Sequence, residues 1–189
     1  MITNQAGIDL IKEFEGFRAD AYYCPAGVLT IGYGHTQGVY KGMHITKEQG
    51  EKFLRDDLTA AEKNVNKWGL QYLWNENEFS ALVSFAFNCG SIDQLVQNGK
   101  RKKADIAAKM LLYVKDINGK KLAGLERRRK AEKALFETPV VNPIEKDYKT
   151  VNDIVRGIWD GDFGTPWSKS DKLYKYFLAL VNKGRPKDD

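Results

Sequence analysis

Glu15 stands where an apolar helical pattern stops, immediately before Gly16. A carboxyl group at a helix C-terminus faces the negative end of the helix dipole, which disfavours its ionisation. A glutamic acid kept protonated is the group that glycosidic cleavage needs to protonate the leaving oxygen. The plainer reading is a solvated terminal glutamate. Thr30 adds a hydroxyl on a strand pattern running from Val28 to His35. Positions 30, 32 and 34 alternate onto one face of such a strand, which sets Thr30 beside Gly32 and Gly34. A bulky ligand can approach that backbone closely, although glycine relieving crowding in a bend explains the same pattern.

The other reactive side chains are more scattered. Cys24 and Cys89 lie 65 positions apart, which suits neither a disulfide framework nor a zinc ribbon. With His35 and His44 they show no paired ligand spacing, so no metal and no cofactor is expected. Cys89 falls in an apolar helical run and reads as a small core residue. The run Lys100-Arg101-Lys102-Lys103 suits either a grip on an anionic polymer or a solvated loop. Arg128, Arg129 and Glu132 share one helical pattern and read as ion pairs along it.

These residues need elements to hold them. Asn4 or Thr3 caps a first helix carrying Ile8, Ile11 and Phe14 on one face, and Gly16 ends it. Tyr22-Tyr23-Cys24, the Pro25-Ala26-Gly27 turn and the run from Val28 to His35 predict a hairpin. Thr46, with Gln49 three residues on, forms a capping box for a helix reaching about Lys67. From Glu76 to Cys89 the pattern is apolar on most sides, which predicts a buried helix stopped by Gly90. Further helices fit Ile92–Val96, Ala104–Val114 and Leu125–Phe136.

The run Glu15-Gly16-Phe17-Arg18-Ala19-Asp20-Ala21-Tyr22-Tyr23-Cys24, with Gly27 and then Thr30-Ile31-Gly32-Tyr33-Gly34-His35-Thr36, resembles the phage-type lysozymes, glycoside hydrolase family 24. The stretch from Asn75 to Gly90 is similar to that family's central buried helix, and Gly124-Leu125, Arg128-Arg129 and Glu132 match its later pattern. The resemblance covers about residues 4–137. It implies an α+β, mostly helical fold, a lysozyme-like two-lobed catalytic domain with a small β-hairpin lobe, the glycan lying in the cleft between lobes. It also implies a catalytic trio of Glu15, Cys24 and Thr30, with Glu15 the general acid, and substrate contacts around Gly32, Tyr33, Gly34 and His35, His35 helping to hold the cleft. Many members carry aspartate where Cys24 stands. A thiol of ordinary pKa is mostly neutral near pH 7, so Cys24 has three open roles: thiolate nucleophile, water-positioning acceptor or spectator. The substrate so implied is the peptidoglycan glycan strand, cut at the β-1,4 bond between N-acetylmuramic acid and N-acetylglucosamine. Lytic transglycosylation of that bond and non-catalytic wall binding are the rival readings.

Composition sets the remaining bounds. The chain has 189 residues, 42% hydrophobic and 29% charged, which suits a globular protein and excludes a disordered or collagen-like one. A net charge of +5 favours an anionic partner. No recognition motif for nucleic acid accompanies it. Apolar runs are far shorter than the roughly 20 residues of a membrane span, so no membrane insertion is expected. Asp9, Lys12 and Glu13 interrupt the first 15 residues, which do not read as a secretory signal. The expectation is a monomer made in the host cytoplasm and released through a separate membrane-lesion protein. Pro139 and Pro143 mark a linker over residues 139–147, dividing a catalytic domain, 1–138, from a module, 148–189. That module loosely resembles a small cell-wall-binding repeat of helical type, with Trp159, Phe163, Trp167 and Tyr174 as candidate sugar-stacking residues. A helical cap that packs on the catalytic lobes is its plainer reading.

Overall fold

The computed structural model describes residues 1–116 and 118–140. The expected module over 148–189, with Trp159, Phe163, Trp167 and Tyr174, lies outside the described residues.

Helix α1 spans Gln5–Glu15. The Asn4 side chain accepts from the Gly7 N–H at 3.0 Å, satisfying one of the free donors of the first turn. At the other end Gly16 adopts φ +70°, a conformation that suits a residue without Cβ, and its N–H bonds to the Lys12 carbonyl. Two residues later the chain enters an antiparallel hairpin, β1 (Arg18–Tyr23) and β2 (Leu29–Gly32), with a register irregularity between Arg18 and Tyr22. The expected strand from Val28 to His35 is corrected here: β2 ends at Gly32, where φ is +64°, and Gly34 turns the chain back at φ +99°. Ile31 and His35 then exchange N–H···O bonds of 2.9 Å in both directions, closing the reversal.

Thr46 caps the next helix through the expected box with Gln49. The single helix predicted from Thr46 to about Lys67 is instead two, α2 (Lys47–Asp57) and α3 (Thr59–Asn66), meeting at Leu58. The joint keeps Leu54, Leu58, Ala61 and Val65 all on the buried side. A short turn of helix, α4 (Gly69–Tyr72), follows.

Helix α5 (Glu76–Cys89) begins with a second capping box, Asn75 accepting from Glu78 N–H while the Glu78 carboxylate accepts from Asn75 N–H. It packs against α1, α3 and α7 (Ala123–Glu137), which explains its apolar residues on most sides. Phe79, Leu82 and Phe85 lose all exposure there. Each such burial contributes about 1.5–3 kcal/mol relative to an exposed side chain. Cys89 departs from expectation: at the last residue of α5 it is exposed rather than part of the core.

The helix expected over Ile92–Val96 is a series of turns. Gln97 and Asn98 take φ near +50°, left-handed conformations that end any helix, and five residues are too few to sustain one. Ile92, Leu95 and Val96 still bury completely. Helix α6 (Lys103–Met110) then leads to α7. No helix among the described residues is long and apolar enough to cross a membrane.

Candidate active site

Glu15 is the last residue of α1, and its carboxyl is met from α7. Arg128 Nη1 donates to Glu15 Oε1 at 2.7 Å. The arginine side chain is 5% exposed and the glutamate 26%, so the pair has one buried end and one open end. The Arg128 guanidinium also lies 5.6 Å from the ring centre of Phe14, the residue before Glu15. The helix terminus foreseen in the sequence is therefore only half of the local electrostatics; a fixed cation faces the same carboxyl. Charge-assisted hydrogen bonds of this kind are short and strong.

Arg128 belongs to a buried polar cluster. Glu132, wholly buried, accepts through Oε1 from Arg128 Nε at 3.1 Å, Arg129 Nη2 at 3.1 Å and Ser84 Oγ at 2.8 Å. Arg129 Nε lies 3.0 Å from Glu132 Oε2, an ionic contact not aligned as a hydrogen bond. The ion pairing expected along α7 is present, and Arg128 reaches beyond it to Glu15. That contact spans 113 positions, and no local pattern announces it.

The hairpin brings Cys24 and Thr30 together. The Cys24 N–H and carbonyl bond to the Val28 carbonyl and the Gly27 N–H, closing the turn at 2.9 and 2.8 Å. The backbone N–H groups of Val28 and then Ala26 hold the Cys24 thiol below its ordinary pKa. Partial burial opposes them, and the Thr30 hydroxyl adds a weaker pull in their direction. That hydroxyl also lies 3.0 Å from the Val28 carbonyl. It has one proton, so it donates either to the carbonyl or to the sulfur. Sequence alone offered an ordinary thiol at position 24; the turn holds that thiol below its ordinary pKa.

Gly32, Tyr33, Gly34 and His35 do not form one glycine-lined face. A Cβ on Gly32 would meet Ile45 Cδ1 at 3.2 Å and Gly50 Cα at 3.5 Å, so the space beside Gly32 is filled by α2 and the residue before its cap. Tyr33 is in the core, its ring centre 5.2 Å from that of Phe17. His35 stacks on Phe53 at 4.5 Å and its Nδ1 lies 2.9 Å from Asp57 Oδ2. Only Gly34 faces open space. These residues seat the hairpin on α2. His44, the second histidine, pairs separately with Asp20 at 2.6 Å. No group of three or more possible metal ligands occurs among the described residues.

Two further contacts set the segment that carries Glu15 against α2. Phe17 packs over Gly50 of α2, where a Cβ would approach Phe17 Cε2 to 2.7 Å. Lys12 Nζ of α1 lies 2.7 Å from Glu51 Oε2 of α2. Thus α1, the hairpin and α2 are mutually fixed, one carrying the acid and the other the thiol and hydroxyl.

Known proteins resemble this chain over most of the described residues. The family described as Phage lysozyme matches residues 12–132. The chain is similar to the endolysin of Acyrthosiphon pisum secondary endosymbiont phage 1, 37% identical over 147 residues, covering 73% of this chain and 99% of that protein. It is similar to the SAR-endolysin of Escherichia phage P1, 34% identical over 155 residues, covering 74% of this chain and 84% of the relative. Among solved structures, the muramidase domain of SpmX from Asticaccaulis excentricus superposes with a TM-score of 0.62 at 37% identity, covering 72% of this chain and 97% of that one.

Proposed function

The chain belongs to the phage lysozyme family, and from that premise we propose that it is an endolysin whose Glu15 protonates the glycosidic oxygen between N-acetylmuramic acid and N-acetylglucosamine in peptidoglycan. Lysis of the host follows from loss of the wall. The observation that carries this reading is the Glu15 carboxyl itself, held at Oε1 by Arg128 while the side chain keeps its open end. A positioned general acid contributes about 10²–10⁴-fold to such a reaction.

Cys24 takes the place of the second carboxylate. Its pKa lowered by the Val28 and Ala26 N–H groups, it accepts a hydrogen bond from the attacking water, and Thr30 shares that water or the sulfur's second contact. Gly32, Tyr33 and His35 act on the substrate indirectly, by fixing the turn that carries Thr30, while Gly34 leaves its backbone open to a sugar. Residues 148–189 hold the enzyme on the wall through Trp159, Phe163, Trp167 and Tyr174, helped by eight basic residues against six acidic ones. The enzyme works as a monomer, is made in the cytoplasm and reaches the wall after release.

Mass spectrometry of the products from purified peptidoglycan tests the reaction. Hydrolysis predicts muropeptides ending in reducing N-acetylmuramic acid. Anhydro-muramic ends would mean that the sugar's own hydroxyl displaces the leaving group, and intact strands would mean binding without cleavage.

A further inference from the structure

We propose that Glu132 is a positioning residue for this reaction: through Arg128 it determines which oxygen of Glu15 carries the acid proton. The inference rests on the reading of Glu15 as proton donor. Arginine has donors and no acceptor, and it keeps its proton in proteins. An oxygen that faces Arg128 Nη1 at 2.7 Å must therefore accept in either protonation state of the carboxyl. In the acid form Oε1 is the carbonyl oxygen and the proton sits on Oε2. No hydrogen bond to Oε2 is made among the described residues, which leaves that proton without a protein acceptor there, and the side chain is 26% exposed.

This selection works only while the guanidinium is fixed. Arg128 Nη2 donates to the Ser84 carbonyl at 3.3 Å and Nε to Glu132 Oε1 at 3.1 Å, leaving Nη1 directed at Glu15. Glu132 is in turn immobilised by Ser84 Oγ and by Arg129. Arg129 is itself held by Asn88 Oδ1 at 2.8 Å and by the Phe85 ring at 4.6 Å. Arg128 and Arg129 bring two buried positive charges to α7, and Glu132 offsets one of them. Removing the Glu132 charge leaves two buried guanidinium groups with no anion between them and weakens the hold on Arg128 Nε.

Kinetics of Glu132→Gln and Ser84→Ala on soluble glycan oligomers test the proposal, with Glu15→Gln as control and thermal melts to count folded protein. Glu132→Gln keeps the volume and one acceptor oxygen. The proposal expects a kcat loss on the order of 10²-fold per folded molecule, the scale of a misplaced catalytic group. KM should stay nearly constant and the pH–rate profile should move. Ser84→Ala, which removes one donor to Glu132, should show a smaller loss with the same pattern, and it carries the test if Glu132→Gln does not fold. Wild-type kcat and pH profile in the folded variants overturn the proposal, as does a change confined to melting temperature. If Glu15→Gln also turns over normally, the proton-donor reading fails as well; if Glu15→Gln alone is inactive, only the role of Glu132 is lost.

Discussion

Gly7 of α1 and Ser80 of α5 meet so closely that a Cβ on Gly7 would stand 2.6 Å from Ser80 Cβ and 2.8 Å from Thr3 Cγ2. Real Cβ atoms do not approach so near, and the missing side chain is what lets α1, and with it Glu15, lie against the central helix. Asn4 N–H donates to Ser80 Oγ at 3.0 Å in the same contact.

Gly7→Ala should therefore destabilise the protein, although alanine favours a helix by about 1 kcal/mol over glycine. Overpacking of a rigid contact costs about 1–3 kcal/mol, and both neighbouring atoms lie at or near the backbone. A thermal melt should show a lower midpoint than wild type. An equal or higher midpoint would mean that the α1–α5 contact is looser than described.

Cys24 and Cys89 should differ in reactivity. The turn's N–H groups lower the Cys24 thiol, whereas burial of the sulfur, opposed in part by Arg129, raises that of Cys89. Although Cys89 is exposed as a residue, its Sγ is turned toward Arg129 Nη1 at 3.0 Å. Iodoacetamide at neutral pH should label Cys24 first, with activity falling in step, as peptide mass spectrometry can follow. Preferential labelling of Cys89, or full activity after Cys24 is alkylated, would contradict the assignment.

Substitution at position 24 separates charge from shape. If Cys24 serves as an anion that orients water, Cys24→Asp should retain more activity than Cys24→Ser, since serine stays neutral at the same pH. Muropeptide release by the two variants decides it. Equal activity of both, near wild type, would make the residue a spectator.

Acid should loosen the clamp between α1 and α2. Lys12, and after it Arg55, hold the Glu51 carboxyl below its ordinary pKa. A depressed carboxyl contributes stability that is fully present above its unfolded pKa, about 4.3, and is lost as pH falls through the lower folded value. Melting midpoints of wild type and Glu51→Gln should differ at pH 6 and converge toward pH 3. A constant gap across that range would show that the charge of Glu51 does not contribute.

Much of this was legible where the signal is local. Asn4, Gly16, Thr46 with Gln49, and Gly90 punctuate helices through contacts within a few residues, and α5 shows its burial in having apolar residues on most sides. The reversal at Gly32 and Gly34 was not legible, because a glycine on alternate strand positions looks the same whether it admits a ligand or turns the chain. The joint at Leu58 was hidden by a helical period that continues across it. At the site, Glu15 is marked by its place before Gly16, Cys24 and Thr30 are singled out by the resemblance to the family, and the spacing of Arg128 to Glu132 along α7 is visible. The union of Arg128 with Glu15 depends on how α7 packs on α1 and α5, which no window of sequence contains.

The measurement that bears most directly on the account is the rate of muropeptide release from purified peptidoglycan by wild type and Glu15→Gln at equal folded concentration. Glutamine keeps the shape and the contact with Arg128 but has no acid proton. Glu15→Gln should release muropeptides about 10²–10⁴-fold more slowly than wild type. Release at the wild-type rate would contradict the assignment of Glu15 as the acid.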